Sequence, residues 1–89
     1  MNEKRIQSLI KALAKILTDL GFGDTFLIST KDHGSNAGGI WTGLGENGVC
    51  DYWQDPSHEL LDPQIREWLD RENLFLEWND PGVVCIWSC

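Results

Sequence analysis

The chain has 89 residues, of which 42% are hydrophobic and 24% charged, and this composition predicts a single compact domain over residues 1–89 rather than a disordered chain. Fourteen acidic against seven basic side chains give a net charge of −7, which argues against direct binding to nucleic acid or to an anionic membrane. The charge is unevenly distributed, with five basic and three acidic side chains in residues 1–31 (+2) and two basic and eleven acidic in residues 32–89 (−9).

The first predicted element is an amphipathic helix over residues 3–20, with Asn2 as a start signal and Gly21 as a stop. Its apolar residues recur at spacings of three and four: Ile6, Leu9, Ile10, Leu13, Ile16, Leu17 and Leu20. The opposite, solvated face carries lysines. Because Lys11 and Lys15 interrupt any apolar leader, no secretion signal is expected.

Three β-strands are predicted next, over residues 25–30, 40–44 and 49–54. The Asn47-Gly48 pair supplies the positive φ angles of a tight turn between the second and the third strand. Short connections between consecutive strands are typical of an antiparallel meander.

A second helix is predicted over residues 62–72, because Asp62-Pro63 combines a capping residue with proline at the first helical position. Strands over residues 74–78 and 83–88 then flank a turn at Pro81-Gly82. The order α-β-β-β-α-β-β predicts an α+β fold in which two helices pack on one face of a mostly antiparallel sheet.

The segment STKDHGSNAGGIW, residues 29–41, gathers the residue types of a hydrolase triad in Asp32, His33 and Ser35. A working triad brings its members from separate elements, and the segment lacks a strand-to-helix nucleophile elbow. We therefore interpret residues 31–39 as a hairpin connection and expect no enzymatic activity.

The three cysteines, Cys50, Cys85 and Cys89, lack the paired close spacings of a zinc site. Residues four apart on a strand lie roughly 13 Å apart at about 3.3 Å per residue, too far to share one ion. We expect free thiols in a reducing, cytoplasmic compartment, and neither a metal nor a cofactor.

The acidic residues between positions 46 and 80 give the clearest functional signal, because spaced carboxylates can imitate the phosphates that a nucleic-acid-handling protein binds. Tryptophan is strongly enriched at binding hot spots, and Trp53 lies beside Asp51 and Asp55 in the sequence, as Trp78 does beside Glu77 and Asp80. A purely solubilising surface is the plainer interpretation. The predicted partner-binding residues are Asp51, Asp55, Glu59, Asp62, Glu67, Asp70, Trp53 and Trp78.

The opening order α-β-β-β-α is similar to that of double-stranded-RNA-binding domains, but residues 62–67 (DPQIRE) begin the second helix where such domains need basic residues. The size, acidity and helix-plus-meander order resemble small phage-encoded inhibitors, including anti-CRISPR proteins that occupy a nucleic-acid site. The acidic profile is also similar to that of toxin–antitoxin immunity proteins. These resemblances concern type and share no residue motif, so they imply no site residues.

We expect a non-enzymatic, cytoplasmic protein-binding module, an inhibitor or regulator that binds a basic nucleic-acid-handling protein as a nucleic-acid mimic. Two alternatives stay open. One is a small-ligand-binding or enzymatic domain that uses the 31–39 loop with His33 and Ser35. The other is a homo-oligomer, such as a homodimer, with a self-complementary strand edge or tryptophan surface.

Overall fold

The computed structural model describes residues 1–32 and 38–88, and within these residues it contains two helices and one four-stranded antiparallel sheet. The helices are α1 (Glu3–Asp19) and α2 (Pro63–Arg71). The strands are β1 (Leu27–Ser29), β2 (Ile40–Thr42), β3 (Leu74–Asp80) and β4 (Val83–Ser88). The spatial order is β1-β2-β4-β3, which confirms the predicted α+β class.

Local capping explains the bounds of α1. The side chain of Asn2 accepts a hydrogen bond from the N–H of Arg5 at 2.8 Å, as an N-cap does. At the other end Gly21 has a φ of +90°, and the N–H groups of Gly21 and Phe22 donate to Thr18 and Leu17. This pair of hydrogen bonds is a Schellman motif, so the helix ends where glycine permits the left-handed conformation.

Equivalent signals bound α2. Asp62 accepts from the N–H of Gln64 at 2.8 Å, and Pro63 occupies the first turn. Asn73 follows the helix with a φ of +56°, and its N–H donates to the carbonyl oxygen of Asp70. The helix therefore starts at the predicted Asp62-Pro63 signal and ends at an asparagine in the left-handed conformation.

The helices cover one face of the sheet, with α1 against β1 and α2 against β3. Alternate strand residues point into this core, as the pleat requires. Ile40, Ile86 and Leu76 lie side by side across three strands in register. The buried cluster contains Ile6, Leu9, Leu13, Leu17, Ile40, Leu44, Cys50, Leu61, Ile65, Trp68, Leu69, Leu74, Val84 and Ile86.

The predicted strand over residues 49–54 is wrong, because this segment consists of turns and bends. The N–H groups of Val49 and Cys50 both donate to the carbonyl oxygen of Leu44. The carboxylate of Asp51 then accepts from two N–H groups that follow it. These local hydrogen bonds compete with a sheet ladder, and β4 takes the place beside β2.

On the other face of the sheet, the glycines directly before and after β2 make room for aromatic rings. A Cβ atom at Gly39 would lie 2.4 Å from the ring of Trp87, and one at Gly43 would lie 2.6 Å from the ring of Phe26. Both distances are far below van der Waals contact, so the two rings lie directly on the glycine backbone. The GGIWTG sequence thus serves packing, and no helix in the described residues covers this face.

We expect Gly39→Ala to destabilise the protein by about 1–3 kcal/mol, the usual cost of overpacking. The added methyl group would meet both the ring of Trp87 and, at 2.7 Å, the carbonyl oxygen of Ile86. Denaturant unfolding would measure the change. Gly23→Ala is the matched control, because the nearest atoms to its added Cβ all belong to the single residue Thr18. Equal stability of the two variants would contradict this account.

Candidate functional site

The segment between β2 and α2 carries most of the predicted site residues, and we call residues 51–62 the acidic loop. It has four acidic side chains and no lysine or arginine. Its first turn is held by Asp51, whose Oδ1 accepts from the N–H groups of Trp53 at 3.0 Å and Gln54 at 3.1 Å. The N–H of Asp55 also donates to the Asp51 carbonyl oxygen at 2.8 Å, so the backbone that carries Trp53 is fixed.

Asp55 is buried, with only 6% of its surface exposed. Its Oδ1 accepts from the N–H of Glu59 at 2.8 Å and from the hydroxyl of Ser57 at 3.2 Å, and its Oδ2 accepts from the N–H of Leu60 at 2.6 Å. Burial disfavours the charged form, but these hydrogen bonds outweigh it and lower the pKa of Asp55. The Asp55 carboxylate therefore orders the loop and is not displayed to a partner as the sequence suggested.

Trp78 supports the loop from β3. Its indole N–H donates to the carbonyl oxygen of Pro56 at 3.1 Å. The His58 ring stacks on the Trp78 ring with centroids 5.1 Å apart and planes inclined by 19°, and Tyr52 meets Trp78 edge-on at 5.2 Å. Tyr52 also contacts Trp53 edge-on. The half-buried Trp78 side chain therefore packs under the acidic loop and supports it.

His58 is held in a desolvated position. Its φ is +64°, in the left-handed region, which is uncommon for residues other than glycine although histidine adopts it more often than most. Its Nε2 is buried without a hydrogen-bond partner in the described residues. Burial lowers the pKa of His58, and the neighbouring Asp55 charge opposes this effect. The loop thus accommodates a neutral imidazole better than a charged one.

Two large apolar side chains project from this ordered loop into solvent: Trp53 is 81% exposed and Leu60 is 78% exposed. Glu59 lies beside Leu60 and is also exposed. The remaining predicted residues lie at the start and on the outer face of α2, where Asp62 is a half-buried N-cap and Glu67 and Asp70 are exposed. The exposed Trp53 and Leu60 therefore belong to the same loop as the exposed Asp51 and Glu59.

The outer face of α2 also carries Arg66 and Arg71, both exposed, so the helix is less acidic than the loop. The guanidinium Nη1 of Arg66 donates to the carbonyl oxygen of Glu59 at 2.9 Å and thereby fastens the loop to the helix. Of the four carboxylates of the acidic loop, those of Asp51 and Glu59 belong to exposed side chains, and Asp51 also accepts from the backbone N–H of Trp53.

The residues of the alternative sites are described only in part. His33 and Ser35 of the 31–39 loop, and Cys89, lie outside the described residues, while Asp32 is exposed after β1. Cys50 and Cys85 are buried free thiols, and burial raises the pKa of Cys50 to about 12. Within residues 1–32 and 38–88, no group of three or more histidine, cysteine or acidic side chains is placed to hold a metal ion.

Leu60, which is exposed, is not among the residues predicted from the sequence, and Asp55, which is predicted to face a partner, is buried. The signal for Asp55 was present, because the sequence Asp55-Pro56-Ser57 is typical of a turn in which the aspartate caps following N–H groups. No comparable signal marks Leu60, since a single leucine within an irregular loop is as often buried as exposed.

Comparison of the chain with protein-family models, curated proteins and solved structures finds no match. In the described part of the chain, neither helix is long and apolar enough to cross a membrane.

We expect Asp55→Ala to disorder the second half of the acidic loop while the sheet stays folded. Hydrogen–deuterium exchange should become much faster at the amides of Glu59 and Leu60, which lose their acceptor. Asp70→Ala is the matched control, because that exposed carboxylate accepts no hydrogen bond from the loop backbone. Unchanged protection of both amides in Asp55→Ala would contradict the assigned role.

We also expect the free energy of unfolding to fall as the pH drops below 6.5. The folded pKa of His58 is lower than its usual value of 6.5, so the unfolded chain binds the proton more readily. Stability from this source is complete above pH 6.5 and is lost as the pH falls toward the folded pKa. Urea unfolding at several pH values should show a flatter profile in His58→Asn, which tolerates the left-handed φ. Parallel profiles for the two proteins would refute the assignment.

Proposed function

We propose that this protein is a small, non-enzymatic binding module that docks on a basic surface of a nucleic-acid-handling protein and blocks or regulates it. The observation that carries the proposal is the exposure of Trp53. Its side chain is 81% exposed, on a turn that the carboxylate of Asp51 fixes. Burying such a side chain on a partner removes a large apolar area from water.

The rigidity of the loop favours binding through Trp53 and Leu60. Ordering a flexible loop on association costs free energy, and a loop that is already fixed avoids this cost. The hydrogen bonds of Asp51 fix the backbone next to Trp53, and those of Asp55 fix the backbone at Leu60. Exposed apolar groups rimmed by polar residues are also typical of protein-interaction sites.

Charge indicates the kind of partner. Residues 32–89 carry a net charge of −9, and they include the exposed Glu59, next to Leu60 in the chain, and the exposed Glu67 on α2. Such a surface attracts a basic partner over a distance and repels nucleic acid. A protein that grips phosphates offers lysine and arginine side chains, so these carboxylates would occupy the same site as its nucleic acid.

The test is affinity capture with the tagged full chain at low and moderate salt, followed by competition with duplex DNA and with RNA. We expect capture of a basic nucleic-acid-binding protein, its displacement by nucleic acid, and loss of about tenfold or more in affinity for Trp53→Ala. Glu59→Lys combined with Glu67→Lys should weaken binding and reduce its salt dependence.

Asp32→Lys is the matched charge control, because Asp32 is exposed after β1, at the sheet edge opposite β3. It changes the net charge in the same direction without altering the acidic loop. Equal loss in Asp32→Lys and Glu59→Lys would mean that only net charge matters. Capture that is insensitive to Trp53→Ala would refute docking through the loop.

A further inference from the structure

A groove runs between the edge strand β3, helix α2 and the second half of the acidic loop. It encloses about 240 Å³. Its apolar lining includes Leu61, Leu69, Leu74 and Leu76. Its polar lining includes Glu59, Asp70 and Arg66, so acidic side chains outnumber the single basic one. The volume lies below the roughly 300–1,000 Å³ of typical small-ligand pockets, so the groove suits side chains of a peptide better than a cofactor.

The β3 side of the groove offers unpaired backbone groups. Within the described residues β3 pairs with β4 alone and forms one edge of the sheet. Proteins usually protect such edges with bulges, charges or covering segments. The bulge in β3 lies between Trp78 and Asp80, which leaves the regular stretch from Leu74 to Glu77 beside the groove.

We propose that an extended peptide segment with alternating apolar and basic residues adds to β3 as a fifth strand in this groove. The inference rests on the proposed function in one respect, namely that the segment belongs to the basic partner. The added strand forms main-chain hydrogen bonds with residues 74–77, and its apolar side chains enter the groove.

The alternation of side chains follows from the pleat. Side chains on the core side of the added strand meet Leu69, Leu74 and Leu76, so they are apolar. Side chains on the opposite side lie next to Phe75, which is 42% exposed, and Glu77. Lysine or arginine fits there, because its aliphatic stem covers the phenyl ring while its charge reaches the carboxylate.

Charge also distinguishes this occupant from a second copy of the chain. The four strands contain the acidic residues Glu77 and Asp80 and no lysine or arginine. Antiparallel pairing of two β3 edges would therefore place like charges near one another, which disfavours association. A basic segment gains from the same carboxylates.

The test is a titration of the isotope-labelled full chain with a capped heptapeptide of alternating lysine and valine, followed by NMR. We expect amide shifts concentrated in residues 74–77 and methyl shifts at Leu61 and Leu69. A peptide methylated at alternate backbone nitrogens should bind about tenfold more weakly, and so should a peptide with glutamate in place of lysine. Shifts scattered away from β3, or equal binding of the methylated peptide, would overturn the inference.

Two variants separate this inference from docking through Trp53. Glu59→Lys combined with Asp70→Lys should weaken the lysine–valine peptide, whereas Trp53→Ala should leave it unchanged because Trp53 does not line the groove. If partner capture requires Trp53 but the peptide never shifts β3, the groove inference fails and the proposed function stands. If the peptide binds β3 but Trp53→Ala does not weaken partner capture, the groove inference stands and docking through Trp53 fails. A dimer in light scattering, together with β3 amides that are protected from hydrogen exchange in the free protein, would also overturn the groove inference.

Discussion

The acidic loop and the groove beside it depend on the hydrogen bonds of the buried Asp55 carboxylate. It accepts from the N–H groups of Glu59 and Leu60 and from the hydroxyl of Ser57, so that an irregular segment has one conformation. That conformation delivers Leu61 to the core and brings the chain to the start of α2 at Asp62. Because α2 packs on β3, the position of the groove follows from the same carboxylate. A buried charge stabilises only when its hydrogen bonds replace those of water, and here three donors do so.

The same residue type thus has two roles in one short segment. Asp51 and Asp55 spend their oxygens on loop backbone, whereas Glu59 and Glu67 point their charge toward solvent. The spacing of carboxylates along the sequence does not separate these roles, because they depend on which N–H groups the folded backbone brings within reach. A charge-based description of the surface therefore becomes more specific with the structure, since fewer carboxylates are displayed than the sequence contains.

The predictable part of the fold is the part decided by local signals. The apolar period, Asn2, Gly21 and the Asp62-Pro63 pair located both helices, and Pro81-Gly82 located the hairpin of β3 and β4. The strand predicted over residues 49–54 is wrong. Its β-branched and aromatic residues favour a strand, but the carboxylate of Asp51 stabilises a turn, and the turn forms. The order β1-β2-β4-β3 is non-local, since β4 pairs with β2 from more than forty positions along the chain. The exposed pair and the groove follow from that arrangement, so sequence reasoning reached the acidic segment but not its shape.

The tryptophans show why the exposed pair is informative. Trp68 is buried in the core, Trp78 supports the acidic loop, and the Trp87 ring lies on Gly39. A chain of this size buries only somewhat over half of its unfolded surface, so each large apolar side chain that enters the core contributes substantially to stability. Trp53 contributes little of this kind, yet a turn with three hydrogen bonds keeps it in place outside the core. Rigid presentation of an apolar side chain to water gains nothing in folding free energy, and for this reason the exposed Trp53 supports the proposed docking on a second molecule.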